Sequence, residues 1–121
     1  MPSKEQTNQE RRREKRTRLY YFLQVLDPDS LEVVGHLMDV SRLGIAMDTT
    51  RPLPVGKEFR FRIDTTPEVA DKVYIQFDAR VRWCKPDKIQ PNFYNIGFEI
   101  TAIVPQDSEI IQNIADRYGE P

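Results

Sequence analysis

The chain has 121 residues, 18 Lys and Arg, 19 Asp and Glu, and a formal net charge of −1 at pH 7. That is enough chain for one modest core, and the near-neutral total excludes a protein held on a polyanion by bulk charge alone. The single cysteine, Cys84, excludes an internal disulfide and suits a reducing compartment, while a lone histidine, His36, excludes a His-based metal cluster.

The start, Met1-Pro2-Ser3-Lys4-Glu5-Gln6, is polar and lacks the apolar core of a signal peptide. No apolar run approaches the roughly 20 residues of a membrane helix. The expectation is a cytoplasmic protein without membrane insertion. Residues 1–10 read as a disordered tail. Charge is uneven: residues 1–18 hold seven Lys or Arg against three Glu, a net +4, which leaves −5 on the rest. A basic arm, residues 11–18, therefore precedes an acidic body, residues 19–118.

From Leu19 to Leu26 the chain is aromatic and aliphatic and reads as a strand, ended by the turn Asp27-Pro28-Asp29-Ser30. Leu31–Asp39 is a second strand and Ser41-Arg42-Leu43-Gly44 a turn. Ile45 begins a third strand. Phe59, Phe61 and Ile63 alternate with Glu58, Arg60 and Arg62, the pattern of a half-buried strand. Val73, Ile75, Phe77, Ala79, Val81 and Trp83 give the longest alternation, with Trp83 at the end of the core face. Ile96, Phe98 and Ile100 form the last strand. The period then changes: Ile110, Ile111, Ile114, Ala115 and Tyr118 follow helical spacing over 106–118. Asp107 or Ser108 is expected to cap that helix and Gly119 to end it. The expected fold is a six-stranded antiparallel β-barrel over 19–101 with a flexible N-terminal arm and a C-terminal α-helix.

Two short segments could carry chemistry. The first, Arg11-Arg12-Arg13-Glu14-Lys15-Arg16, contains Arg12-x-x-x-Arg16. A guanidinium clamps phosphate, forks onto a guanine O6/N7 edge or stacks on a purine. A spacing of four puts both arginines on one side of a helix or of an extended arm. The same run is also compatible with a solvated arm or a non-specific nucleic-acid contact. The second segment, Asp39-Val40-Ser41-Arg42-Leu43-Gly44, contains Asp-x-Ser-x-x-Gly. An ionised Asp accepts two hydrogen bonds, which matches the N1–H and N2–H₂ donors of guanine. Ser41 is expected on the same strand face, and Gly44 to permit a turn with φ > 0. A plain β-turn uses the same residues.

In order and spacing these motifs resemble the PilZ domain, a receptor for cyclic di-GMP. The resemblance covers about residues 11–118 and extends to Val55-Gly56-Lys57, the strand ending near Trp83, and Ile96-Gly97-Phe98. It implies that Arg12 and Arg16 grip guanine and phosphate, that Asp39 and Ser41 bind a guanine edge, and that Gly44 shapes the turn. Arg11 would stack on a second guanine if two intercalated ligand molecules bind. The implied function is a receptor without enzymatic activity, catalytic residues, metal or cofactor, which changes conformation and regulates a separate protein effector of motility, adhesion or biofilm. Two other readings are a ligand-independent adaptor of the same fold, against which the intact motifs speak, and a small barrel binding nucleic acid through its arm, which would bind through phosphates, weaken steeply with salt and tolerate Asp39→Ala. No carboxylate pair stands out as an acid/base couple, no glycine loop is of the phosphate-cradling type, and Trp83 reads first as packing and second as a face for guanine.

Overall fold

The computed structural model of the chain describes residues 17–19 and 23–120. Period-two alternation dominates it. The strands are β1 (Thr17–Arg18), β2 (Gln24–Leu26), β3 (Val33–Val40), β4 (Gly44–Thr49), β5 (Glu58–Asp64), β6 (Tyr74–Pro86) and β7 (Tyr94–Ala102), followed by one helix, α1 (Pro105–Tyr118). All pairings are antiparallel, in the order β3-β2-β5-β6-β7-β4, and β4 pairs back onto β3 to close a six-stranded barrel. The expected six-stranded barrel and C-terminal helix are observed, whereas the expected arm lies outside the described residues except for Thr17 and Arg18, which form β1. β1 is a short extra piece on the flank of β3 that β2 also occupies: β1 lies opposite Asp39 and Val40, β2 opposite Val33–His36. The expected strand Leu19–Leu26 is thus represented by two pieces, with residues 20–22 outside the described residues.

Alternation fills the barrel. Val25, Leu37, Ile45, Met47, Phe61, Ile63, Ile75, Ala79, Val81, Ile96 and Phe98 are buried. Phe61 is the hub. Its ring meets Phe98 edge-on at 5.1 Å and Phe77 at 6.1 Å, and stacks with Phe59 at 5.9 Å. Edge-on pairs of this kind add about 0.5–1.5 kcal/mol each beyond area burial.

β6 spans 13 residues and serves two neighbours. Its first half pairs with β5 from Tyr74 to Arg80, and its second half with β7 from Asp78 to Pro86. A bulge between Val81 and Trp83 shifts the register by one residue. An extra residue reverses the faces beyond it. Trp83 therefore leaves the core face on which plain alternation would put it, and Cys84 packs against the core instead. Val73 is a second departure: the strand starts one residue later, and Val73 is 72% exposed.

α1 covers the barrel with Ile110, Ile111, Ile114 and Ala115. Its N-terminus differs from the expectation. Val104 is the cap residue and makes no side-chain cap bond; Pro105, whose missing N–H costs nothing in a first turn, opens the helix. Asp107 instead points into the protein, 4% exposed, and accepts from Lys72 Nζ at 2.7 Å and the Gln76 N–H at 3.3 Å. Gly119 ends the helix as expected, in extended backbone, its N–H donating to Ala115 O at 2.9 Å.

Candidate functional site

The site grows from the end of β3. A second bulge, between Leu37 and Asp39, brings Asp39 opposite Ala46 while Val40 faces Ile45 in the core. Residues directly opposite in an antiparallel pair share a face. The pairings Arg18–Asp39, Asp39–Ala46, Ala46–Gly97 and Gly97–Trp83 then define one continuous row across β1, β3, β4, β7 and β6. The row runs on the outer face. It carries a cation and a carboxylate at one end, an indole at the other, and two small residues between them.

Gly97 lies beneath the tryptophan. A Cβ there would stand 2.2 Å from both Cε2 and Nε1 of Trp83 and 2.7 Å from Cζ2. The indole therefore lies across the strand and needs glycine below it. Lys85 Nζ is 5.4 Å from the ring centroid, within cation–π range. A groove of about 400 Å³ beside the ring is lined by Ser41, Leu43, Gly44, Arg82, Trp83, Phe98 and Glu99. It joins the Asp39–Gly44 turn to Trp83.

The turn is internally tied. Ser41 Oγ accepts from the N–H groups of Leu43 at 3.3 Å and Gly44 at 3.1 Å, and the Ser41 N–H donates to Gly44 O at 2.8 Å. Ser41 is buried. Its hydroxyl holds the turn, and it sits past the end of β3 rather than on the strand face beside Asp39. Gly44 also has a different reason from the expected one. It opens β4 without a positive φ; what it needs is space, because a Cβ would stand 2.5 Å from Phe98 O. Arg11, Arg12 and Arg16, like the rest of residues 1–16, lie outside the described residues. Thr17 and Arg18, the next two residues, pair with Val40 and Asp39, so the sequence leads from the arginine motif directly to the second motif.

Sequence reasoning read Trp83 first as core packing and only second as a face for guanine. The signal that would have placed it was Gly97, whose lack of a side chain leaves room for an indole, but the bulge that brings the two together has no sequence signature of its own. His36 is a strand residue, as expected: its ring Nδ1 lies 3.2 Å from Asp48 Oδ1, which also accepts the His36 N–H at 3.0 Å. Among the described residues no cluster of three or more His, Cys, Asp or Glu could hold a metal ion, and no helix is long and apolar enough to cross a membrane.

Three comparisons bear on this arrangement. No curated protein matches the chain. Among solved structures it is similar to the Bacillus subtilis inhibitor of motility MotI/DgrA, with a TM-score of 0.66 and 19% identity over 85% of this chain and 49% of that one. It is also similar to the PilZ domain with c-di-GMP of YcgR from Escherichia coli, with a TM-score of 0.63 and 14% identity over 85% of this chain and 87% of that one. A third is the E. coli YcgR complex with c-di-GMP, with a TM-score of 0.55 and 15% identity over 82% of this chain and 42% of that one. The chain thus spans about half the length of MotI and less of whole YcgR. At these identities the likeness concerns the fold. The PilZ domain family model matches residues 10–117, which takes in both arginine and Asp-x-Ser-x-x-Gly motifs, the barrel and nearly all of α1. The chain belongs to the PilZ domain family.

Proposed function

We propose that this protein is a cyclic di-GMP receptor that performs no chemistry and regulates a protein partner. The supporting observation is the outer-face row. Arg18, two residues after Arg16, lies opposite Asp39 on the face that also carries the turn and Trp83. In this reading Arg12 and Arg16 bind guanine and phosphate, and Asp39 accepts from guanine N1–H and N2–H₂. Ser41 and Gly44 keep the turn in shape, and Arg11 stacks on a second guanine when two ligand molecules bind. In this reading the charge-assisted hydrogen bonds to the ligand change the conformation around the two motifs, and the changed surface is what the partner reads. The PilZ domain of E. coli YcgR is seen with c-di-GMP, and MotI carries the description inhibitor of motility; both support a ligand and an output of these kinds here.

Calorimetric titration with cyclic di-GMP tests the reading, with GMP and cyclic di-AMP as controls. The expected Kd lies below ~100 μM, or about −5.5 kcal/mol. Asp39→Ala and Arg12→Ala should each weaken binding about ten-fold or more, the worth of a hydrogen bond to a charged group at roughly 1.5–3 kcal/mol. The emission of Trp83, the chain's one tryptophan, should change on titration, since it lines the groove beside the turn. Silence of the wild type at 100 μM would end this proposal. The fitted stoichiometry decides the role of Arg11.

A further inference from the structure

Residues 17–19 are held on two flanks. On one flank β3 pairs Thr17 with Val40 and Arg18 with Asp39, and the Leu19 N–H donates to Met38 O at 2.8 Å. On the other flank lies the end of α1. The Glu120 N–H donates to Arg18 O at 2.7 Å, and Leu19 forms an isolated bridge with Gly119. The Arg18 guanidinium and Glu120 carboxylate are 3.9 Å apart. Leu19 is fully buried. The fit at Gly119 is close: a Cβ there would stand 2.2 Å from Thr17 Cγ2 and 2.3 Å from Ala115 O. Gly119 has no positive φ to explain it; a side chain there would collide both with Thr17 of β1 and with the helix's own Ala115 carbonyl.

β3 is a full strand of the barrel, whereas the other flank is the end of α1, which stops at Tyr118. Helix ends are among the parts of a fold that open at least cost. The helix end therefore depends on segment 17–19 for its place. That segment follows Arg16 without a spacer and lies opposite Asp39. A ligand that ties Arg16 to Asp39 would fix the segment on which the helix end rests.

Resting on the reading above, we propose that the C-terminal end of α1 is coupled to the cyclic di-GMP site through residues 17–19: ligand binding locks Gly119 and Glu120 onto β1, and loss of that docking weakens the ligand. Coupling of this kind is reciprocal, so the factor by which ligand tightens the helix end equals the factor by which the helix end tightens ligand. Neither Gly119 nor Glu120 is among the proposed ligand residues. Their effect on affinity would be transmitted, not direct.

Amide hydrogen exchange on the wild type, with and without cyclic di-GMP, reads one side of the linkage. Exchange at Gly119 and Glu120 should slow about five-fold or more on saturation, the low end of typical allosteric coupling. Calorimetry on Gly119→Ala reads the other side, with affinity expected to fall by a similar factor while circular dichroism reports an intact barrel. A chain ended at Tyr118 gives the same reading if the alanine variant does not fold. Wild-type binding with unchanged exchange at 119–120, or variants that bind as tightly as wild type, overturns the coupling and leaves the receptor reading in place. No binding by wild type overturns both.

Discussion

Asp27 and Asp87 do the same local work at two loops. Asp27 Oδ1 accepts the N–H groups of Asp29 and Ser30 at 2.8 and 3.0 Å; Asp87 Oδ1 accepts those of Ile89 and Gln90, both at 2.8 Å. These backbone donors favour the ionised carboxylates and hold both below the ordinary value of 3.8. A lowered folded-state pKa stabilises the fold above the unfolded value, and the benefit disappears as pH falls through the folded one. Urea midpoints should thus be insensitive to these two groups between pH 7 and about pH 5, and Asp27→Asn with Asp87→Asn should flatten the drop that begins below about pH 4. A double variant with an unaltered acid limb would remove these carboxylates from the account. The first of these turns was legible in the sequence as Asp27-Pro28-Asp29-Ser30. The role of Ser41 was less so. Its hydroxyl belongs to its own turn, and sequence alone does not tell a hydroxyl spent on the backbone from one offered to a ligand.

Asp107 ties α1 to Lys72, in the loop before β6, and to the Gln76 N–H of β6. Lys72 is 37% exposed while Asp107 is 5%, so truncating the lysine leaves a carboxylate in a poorly hydrated site. Lys72→Ala should cost about 1–3 kcal/mol, measured by urea unfolding, and Asp107→Asn less, since an amide oxygen still accepts from Gln76. Equal costs would mean that charge is not what matters there. The helix itself was plain from its spacing, but its start was not. Pro105 at the first helical position displaced the expected cap, and Asp107 was drawn inward by a lysine 35 residues away. Strand existence was similarly readable from alternation. Trp83 and Val73 were misplaced because one bulge and one late strand start are set by pairing partners, not by the segment's own pattern.

Over the whole molecule, the outer face of β5–β7 carries charges that largely cancel. Arg60 pairs with Asp78, Arg62 with Asp64, Arg80 with Glu58 and Glu99, and Arg82 with Glu99. Exposed pairs of this kind are each worth about 0–1 kcal/mol. Arg80→Ala should therefore lower stability by less than about 1 kcal/mol, with the small difference erased in 1 M salt; a larger or salt-resistant loss would point to a structural task for Arg80. The family's architecture could be anticipated from motif order, whereas the row linking Asp39 to Trp83 exists only because three registers coincide. The bulge in β6 has a last consequence, for kinship. The extra residue between Val81 and Trp83 decides which side chains beyond it meet water, so a relative lacking that residue would carry its tryptophan at the position that corresponds to Arg82 by simple counting. Comparisons across such proteins must therefore follow the pleat, and a one-position gap at this point in the strand preserves the indole where strict numerical equivalence would lose it.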